Sequence, residues 1–354
     1  MAKSAVDVIS IAFDHTRKQL TEPFRWGQWW RLAVLGLATG EMSASGGCGS
    51  GWNRLGGGPK PNPAQSPVDL GKVLHSIDPA LIVTLILVAL GGALVLGVVW
   101  IYVSSISRFV LFESVLRKHC DSLSAGWRRW EDTGMNFFWW QLGFALVKLI
   151  VAAILFVPLL LPVLAVMRSH RHPGPELILA FLPMIAVFAF FSMVIQLITV
   201  LAKDFVVPLM AIDGMGVLEG WKRLLNMMAA EMGSYAGYIV MKVLLNIVAW
   251  IVFTILSIIA AMFVIFPAAI LGVIVWIVFK GAGASLNAVT VTAIIIGAAI
   301  MIGILLCAIA FVSVPIAVFF PAYGMYFFAE RFPALHGRLY PSANAPLAPP
   351  AVSG

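Results

Sequence analysis

The sequence predicts an all-α integral membrane protein with about six transmembrane helices, arranged as three pseudo-repeated hairpins with cytoplasmic interfacial helices. Hydrophobic residues make up 61% of the 354 and charged residues only 11%, and the mean hydropathy is +0.98, which is far from the composition of soluble domains. The runs 79–106, 177–202 and 281–329 carry no charge, and each exceeds the roughly 20 residues that a helix needs to cross a bilayer. Because lipid offers no partner for an unpaired backbone N–H or C=O group, these runs are expected to be helices.

Residues 1–23 are expected to form an amphipathic helix that lies on the membrane surface. Four apolar residues recur there at helical spacing, opposite the charged residues of the segment: Val6, Ile9, Phe13 and Leu20. Pro23 would end this helix, because proline lacks the N–H that the next turn needs.

Two later segments repeat each other, 126-GWRRWEDTGMNFFWWQLGFALVKLIV-151 and 220-GWKRLLNMMAAEMGSYAGYIVMKVLL-245. Without a gap, both start with Gly-Trp and two basic residues, and both carry a lysine at the same later position. Each then enters a long apolar run, meets Pro158 or Pro267, and is expected to turn and return through a second span. The returning helices end alike, at 109-FVLF-112, 205-FVVP-208 and 318-VFFP-321.

This pattern predicts the following organisation along the chain. After the surface helix come a degenerate first hairpin at 24–106, a second hairpin at 107–203, a third at 204–316, a C-terminal interfacial segment at 317–340 and a disordered tail at 341–354. The first hairpin contains a Gly- and Pro-rich stretch at 45–69, which is typical of an extracytoplasmic loop.

Most basic residues outside the apolar runs fall on one side of this topology. The positive-inside rule places that side, with both termini, in the cytoplasm of a prokaryotic cell, so the protein is expected in the inner membrane. Two segments leave alternatives open. The first span, 24–44, contains Arg31 and Glu41 and could be re-entrant or surface-bound. The piece 267–279 is short for a span and is taken as a kinked extension buried against the bundle; as a full span it would place the tail outside.

Lys148 and Lys242 recur at the same position inside the two apolar runs. Charges within a membrane tend to face a bundle interior or cavity, so the pair predicts a site for an anionic ligand or lipid phosphate. The alternatives are that both lysines extend to the interface, or that duplication merely preserved their position.

The two Gly-Trp segments are expected to be interfacial anchors. They consist of six residues: Trp127, Arg128, Arg129, Trp221, Lys222 and Arg223. Indole rings favour the headgroup layer, and adjacent basic residues attract anionic lipid. A buried tryptophan with incidental neighbouring charges is the alternative.

The sequence lacks the patterns that mark catalysis. It contains no His-Glu-x-x-His, and none of its histidines falls inside a predicted span, so a membrane serine has no base to activate it. Asp204 is placed at a span exit, and no carboxylate is expected in mid-span. We therefore expect no catalytic residue, no metal and no cofactor. Nucleic acid is excluded as a partner, since no soluble domain presents a basic surface.

Several motifs resemble a known group of proteins. They are the exits FVVP and VFFP, the segment 219-EGWKR-223 and the N-terminal stretch 13-FDHTRKQLTEPFRWGQWWRLA-33. They resemble an uncharacterised prokaryotic multi-span membrane protein family that is similar to the membrane domain fused to some glycerophosphodiester phosphodiesterases. The resemblance implies a helical membrane domain of unknown activity. The catalytic barrel itself is absent, since no soluble stretch here is long enough to form it.

The sequence therefore predicts a non-enzymatic multi-pass protein that engages membrane lipids, anionic ones above all, or partner proteins, including a second copy of the chain. The alternative is a transporter or channel for an anionic or amphiphilic substrate, with its site between the repeats at Lys148 and Lys242.

Overall fold

The computed structural model describes residues 4–40, 79–120, 122–169, 175–281 and 288–340, and within them it contains helices and no strand. The α-helices are α1 (Asp7–Thr21), α2 (Trp26–Thr39), α3 (Pro79–Leu116), α4 (Leu123–Ser169), α5 (Pro175–Leu201), α6 (Val207–Asp213), α7 (Val217–Ala230), α8 (Met232–Gly281), α9 (Ala288–Ala329) and α10 (Pro333–Leu339). A π-helix, Ala202–Val206, joins α5 to α6. The predicted loop 45–69 and the tail 341–354 lie outside the described residues.

Five helices among the described residues are long and apolar enough to cross a membrane. Their apolar stretches are Val83–Leu116, Leu123–Leu155, Ile185–Asp213, Met232–Val275 and Ile294–Ala329. Large apolar side chains on these helices are exposed, for example Leu96 at 70% and Phe263 at 78%. Surfaces of this size and apolarity face lipid in a membrane protein, so the prediction of a helical membrane protein is confirmed in its class.

The predicted first span at 24–44 is not among these five. The helix α2 has 14 residues, a length of about 21 Å, which is less than the roughly 30 Å of a hydrocarbon core. It ends at Gly40, whose φ of 73° lies in the left-handed region that favours glycine. The count of six spans is therefore not reached in the part of the chain that the structure describes.

The helices α4 and α8 do not end at their prolines. The helix α8 runs unbroken through Pro267 to Gly281, and α4 continues past Pro158 to Ser169. The residues after Pro267 are also not buried against a bundle, since Leu271 is 62% and Val273 57% exposed. A proline removes one backbone hydrogen bond and can kink a membrane helix without ending it.

The chain forms two compact units. The first comprises Met1–Gln19, Ser105–Tyr238 and Phe319–Gly354, and the second Leu20–Ser104 and Ile239–Val318. The core of the first unit is aromatic: Phe205 contacts Tyr235, Tyr238 and Phe328 with ring centroids 5.1–5.4 Å apart. These four side chains are all buried, so this core holds the ends of α8 and α9 against the π-helix.

In the second unit, α2 packs closely against α9. A Cβ added to Gly36 would lie 2.9 Å from the Cβ of Ala317, so only a glycine allows this approach. The ring of Trp26 meets Phe311 with centroids 6.0 Å apart. The Ser104 hydroxyl of α3 donates to the Thr39 carbonyl at 3.5 Å. These contacts explain why a 14-residue helix is ordered in this unit.

The helix α1 turns a different face to the protein than its apolar pattern indicated. Four residues, Val8, Ala12, His15 and Gln19, are buried, whereas Phe13 remains 65% exposed. Val6 and Phe13 of the predicted apolar stripe are thus left outward, where they suit contact with a membrane surface, whereas Leu20 of the same stripe is buried.

Candidate functional site

Each Gly-Trp segment begins with a glycine in close contact with a valine of the preceding helix. A Cβ added to Gly126 of α4 would lie 2.9 Å from Val110 Cγ1, and one added to Gly220 of α7 would lie 3.1 Å from Val206 Cγ1. Contacts this short leave little space for any side chain. The two glycines therefore fix how closely α4 and α7 approach the helices that precede them.

The second basic residue of each segment forms an ion pair with an acid of the preceding helix. Arg129 binds Glu113, which also pairs with Arg117 at 2.8 Å. Arg223 likewise binds Asp213. These arginines thus have a structural partner within the first unit, and their charge is largely compensated.

The first basic residue of each segment has a different environment. Arg128 and Lys222 are both exposed, and neither has an ion pair, hydrogen bond or ring contact among the residues that the structure describes. Their charges therefore remain accessible to an external anion.

The two tryptophans are half-buried. Trp221 lies beside Trp140, with ring centroids 5.9 Å apart. Its indole N–H is buried and has no hydrogen-bond acceptor in the described part of the chain. Trp127 is half-buried as well, so in both segments part of the ring packs on protein. Whether the exposed part lies in the headgroup layer stays a prediction.

The two membrane lysines differ in environment and belong to different units, Lys148 to the first and Lys242 to the second. Lys148 is half-buried, and its ammonium lies 5.0 Å from the ring centroid of Phe144, a cation–π geometry. Lys242 is only 7% exposed, while its neighbour Val243 is 54% exposed. The helix α8 therefore turns Lys242 inward and Val243 outward.

Asp204 is a buried carboxylate that the sequence interpretation did not predict. It lies in the C-terminal half of the candidate span Ile185–Asp213, and it is only 9% exposed. The Tyr238 hydroxyl donates to its Oδ2 at 2.8 Å. A Cβ added to Gly324 would lie 3.1 Å from that hydroxyl oxygen, so the glycine lets α9 close over the pair. Burying a carboxylate is costly unless hydrogen bonds compensate it.

Asp204 also lies in the π-helix Ala202–Val206, which widens the backbone locally and is a frequent feature of functional sites. One signal was present in the sequence, the charged pair Lys203-Asp204 between two apolar stretches. The π-helix itself leaves no recognisable pattern.

His15 was also missed, because a lone histidine on a surface helix is unremarkable in sequence. It is 2% exposed, with Nε2 2.9 Å from the Val115 carbonyl and Nδ1 2.9 Å from the Tyr326 hydroxyl. Since the carbonyl only accepts, Nε2 donates the proton and Nδ1 accepts from the tyrosine. Burial, together with the charge of Lys118, lowers the pKa of His15 to about 4. The ring therefore holds α1 in place as a neutral imidazole.

No three His, Cys, Asp or Glu side chains in the described ranges are grouped so that they could hold a metal ion. The pair His170 and His172 lies outside those ranges.

Taken together, the five apolar helices of the described residues and a unit rich in aromatic and paired charged side chains fit a multi-pass helical membrane protein. The chain belongs to the Family of unknown function (DUF7544), whose model matches residues 3–337. No curated protein and no solved structure matches the chain.

Proposed function

We propose that this chain is a non-enzymatic multi-pass protein that binds anionic lipid headgroups through Arg128 and Lys222. The observation that carries the proposal is that the two basic residues of each Gly-Trp segment have different environments. One basic residue is compensated by an acid, and the other is exposed without a partner among the described residues. Exposed basic residues beside membrane helices attract anionic lipid.

The matching contacts of the two segments support the proposed internal repeat. In both, a glycine contacts a valine and an arginine binds an acid. A duplicated anchoring unit would give the protein two lipid contacts, both on the side that carries most of the basic residues. By the positive-inside rule we propose this side as the cytoplasmic face of a prokaryotic inner membrane, with both termini on it.

Native mass spectrometry of the purified protein tests the lipid proposal. Arg128→Gln and Lys222→Gln are each expected to reduce retained anionic lipid several-fold, since each contact contributes on the order of 1 kcal/mol. Lys18→Gln is the matched control, because Lys18 is already paired with Asp14 at 2.8 Å. If the double variant retains the same anionic lipids in the same amounts as the wild type, the proposal is wrong.

A second function, transport of an anionic or amphiphilic substrate, is favoured by one observation. Lys242 is buried within a candidate span, and ionisable residues inside a membrane usually have a functional role. Lys148 is the second residue proposed for this site. Its half-buried position also fits a side chain that extends to the interface.

Lys148→Gln, Lys242→Gln and their double variant distinguish these cases. For one shared site, either single variant should lose the anionic solute and the double should lose no more. Additive losses would indicate two independent sites. Unchanged retention in all three variants would exclude the transport site. The resemblance to a phosphodiesterase-linked membrane domain and the engagement of partner proteins or a second copy stay predictions.

A further inference from the structure

The helix α7 presents three distinct faces. Its inner face, formed by Val217, Gly220 and Leu224, is buried in the first unit. A second face carries Glu219, Arg223 and Asn226, and a third carries Leu218, Lys222 and Leu225. All six of these residues are exposed. At about 100° per residue, the three faces lie roughly 120° apart.

The third face, which we name the outer stripe, is unusual for a surface helix. Leu218 is 78% and Leu225 56% exposed, and they stack on one side of the helix with Lys222 between them. A helix in contact with water has its outward residues polar, but here two of the three are leucines. The stripe therefore suits an environment in which an apolar layer lies next to a layer of negative charge.

Chain continuity shows where this stripe lies relative to the membrane. Only Glu231 separates the end of α7 at Ala230 from the start of α8 at Met232, where a candidate span also begins. This junction is held firmly, since Arg331 Nε donates to Glu231 Oε2 at 2.8 Å. The Arg331 guanidinium also lies 4.2 Å from the ring centroid of Phe327. The helix α7 is thus attached to a candidate membrane span through a single residue.

We propose that the outer stripe of α7 inserts into the headgroup layer of an anionic leaflet. Leu218 and Leu225 reach the ends of the acyl chains, and Lys222 meets the lipid phosphates. The charge of Lys222 complements that leaflet, and its long aliphatic stem can lie along apolar surface while the ammonium stays at phosphate depth. The three faces of α7 then meet protein, lipid and water. This inference rests on the proposed lipid binding and adds insertion to it.

Fluorescence quenching at single cysteines tests the insertion directly. In a full-length background with Cys48, Cys120 and Cys307 replaced by alanine, an environment-sensitive label is attached at Leu218→Cys or Leu225→Cys. Glu219→Cys and Asn226→Cys are matched controls, because they lie on the neighbouring face at the same spacing. Each protein is reconstituted in nanodiscs of zwitterionic lipid, with and without an anionic phospholipid. Quenching by brominated acyl chains and by aqueous iodide is then compared.

We expect the labels at 218 and 225 to be quenched at least about twofold more by brominated lipid than those at 219 and 226. Iodide should show the opposite order. Equal access to iodide at all four positions would overturn the inference. Protection of 218 and 225 from both quenchers would also overturn it, since the stripe would then be covered by protein, such as a second copy of the chain.

The two lipid compositions separate this inference from the function on which it rests. Insertion that occurs equally with and without anionic lipid would support an apolar insertion and contradict the anionic preference. Loss of anionic lipid in Lys222→Gln without any lipid quenching at 218 would support lipid binding and contradict insertion.

Discussion

The two Gly-Trp segments have the same inner contacts and different outer surfaces. In both, the glycine contacts a valine and the second basic residue binds an acid. In the register that aligns Gly126 with Gly220, the outer stripe of α7, Leu218, Lys222 and Leu225, corresponds to Ser124, Arg128 and Glu131 of α4. All six residues are exposed.

The comparison shows that the same packing motif carries two different outer surfaces. The stripe on α4 is polar throughout, so it suits water or the outermost headgroups. The stripe on α7 is apolar around one lysine, so it suits insertion. Inner contacts determine where each helix lies, and three outward side chains determine what it contacts.

The largest expected effect is a loss of stability at a close contact that α4 has at a glycine and that α7 does not share. A Cβ added to Gly134 of α4 would lie 2.7 Å from Ile106 Cγ1 and 3.0 Å from the Ile106 Cα. The aligned residue in α7 is Met228. Gly134→Met is expected to destabilise the protein by about 3 kcal/mol or more, because backbone cannot move aside as a side chain can. Thermal unfolding in detergent measures this, and a wild-type melting temperature would contradict the close packing of α4.

The next effect concerns the dependence of stability on pH. It arises beside α3, the helix that precedes the first Gly-Trp segment, because His15 binds the Val115 carbonyl near the end of α3. Its pKa is about 4 when folded and about 6.5 when unfolded. The unfolded state therefore binds more protons between these values, and stability falls as the pH is lowered from about 6.5 to about 4, by about 3 kcal/mol at most. Below pH 4 this contribution is already lost. A His15→Gln variant should lack the slope, and an unchanged slope would rule His15 out as its cause.

The acid partners of the two arginines should differ in importance. The Glu113 side chain is 13% exposed and also accepts from the Trp130 indole at 2.6 Å, whereas the Asp213 side chain is 26% exposed. Glu113→Gln is expected to cost about 2 kcal/mol of stability and Asp213→Asn about 1 kcal/mol. Asp14→Asn, in an exposed pair, is the control and should be nearly neutral. Equal losses at all three sites would show that burial is not decisive.

Alanine at the aligned glycines gives a smaller effect. Gly126→Ala and Gly220→Ala should each cost about 1 kcal/mol, the first slightly more because its contact is shorter. Gly143→Ala and Gly237→Ala, also aligned, meet nothing within 4 Å and should be neutral or stabilising by up to about 1 kcal/mol. The melting temperatures of the four variants test whether the valine contacts stabilise the protein. Equal melting temperatures in all four variants would show that they do not.

The smallest effect compares Arg128 and Lys222, the two cations of these segments that have no ion pair within the described ranges. Lys222→Gln should reduce anionic lipid retention about twofold more than Arg128→Gln, since Glu131 lies on the same stripe as Arg128 and repels lipid phosphates. Native mass spectrometry of both variants measures the difference. A larger loss in Arg128→Gln would reverse the assignment of roles to the two stripes.

The candidate site was only partly visible in the sequence. The Gly-Trp segments and their basic residues stand out because their pattern can be read directly along the chain. The burial of Asp204 and His15 cannot be read from the sequence in this way, because it depends on partner residues that are distant along the chain. Tyr326, for example, is 311 residues from His15 along the chain. The continuation of α4 and α8 past Pro158 and Pro267 is likewise not visible in the sequence, because a local rule for breaking helices is weaker in lipid than in water.

The sequence by itself determined that this chain is helical and lies in a membrane. Both properties follow from the length and apolarity of single segments, because a bilayer requires each spanning segment to satisfy its own backbone. Only the tertiary structure decided which basic residue of each Gly-Trp segment is paired and which has no partner among the described residues, that Asp204 is buried, and which stripe of α7 faces outward. These properties depend on contacts between helices, and equal local patterns are compatible with different contacts.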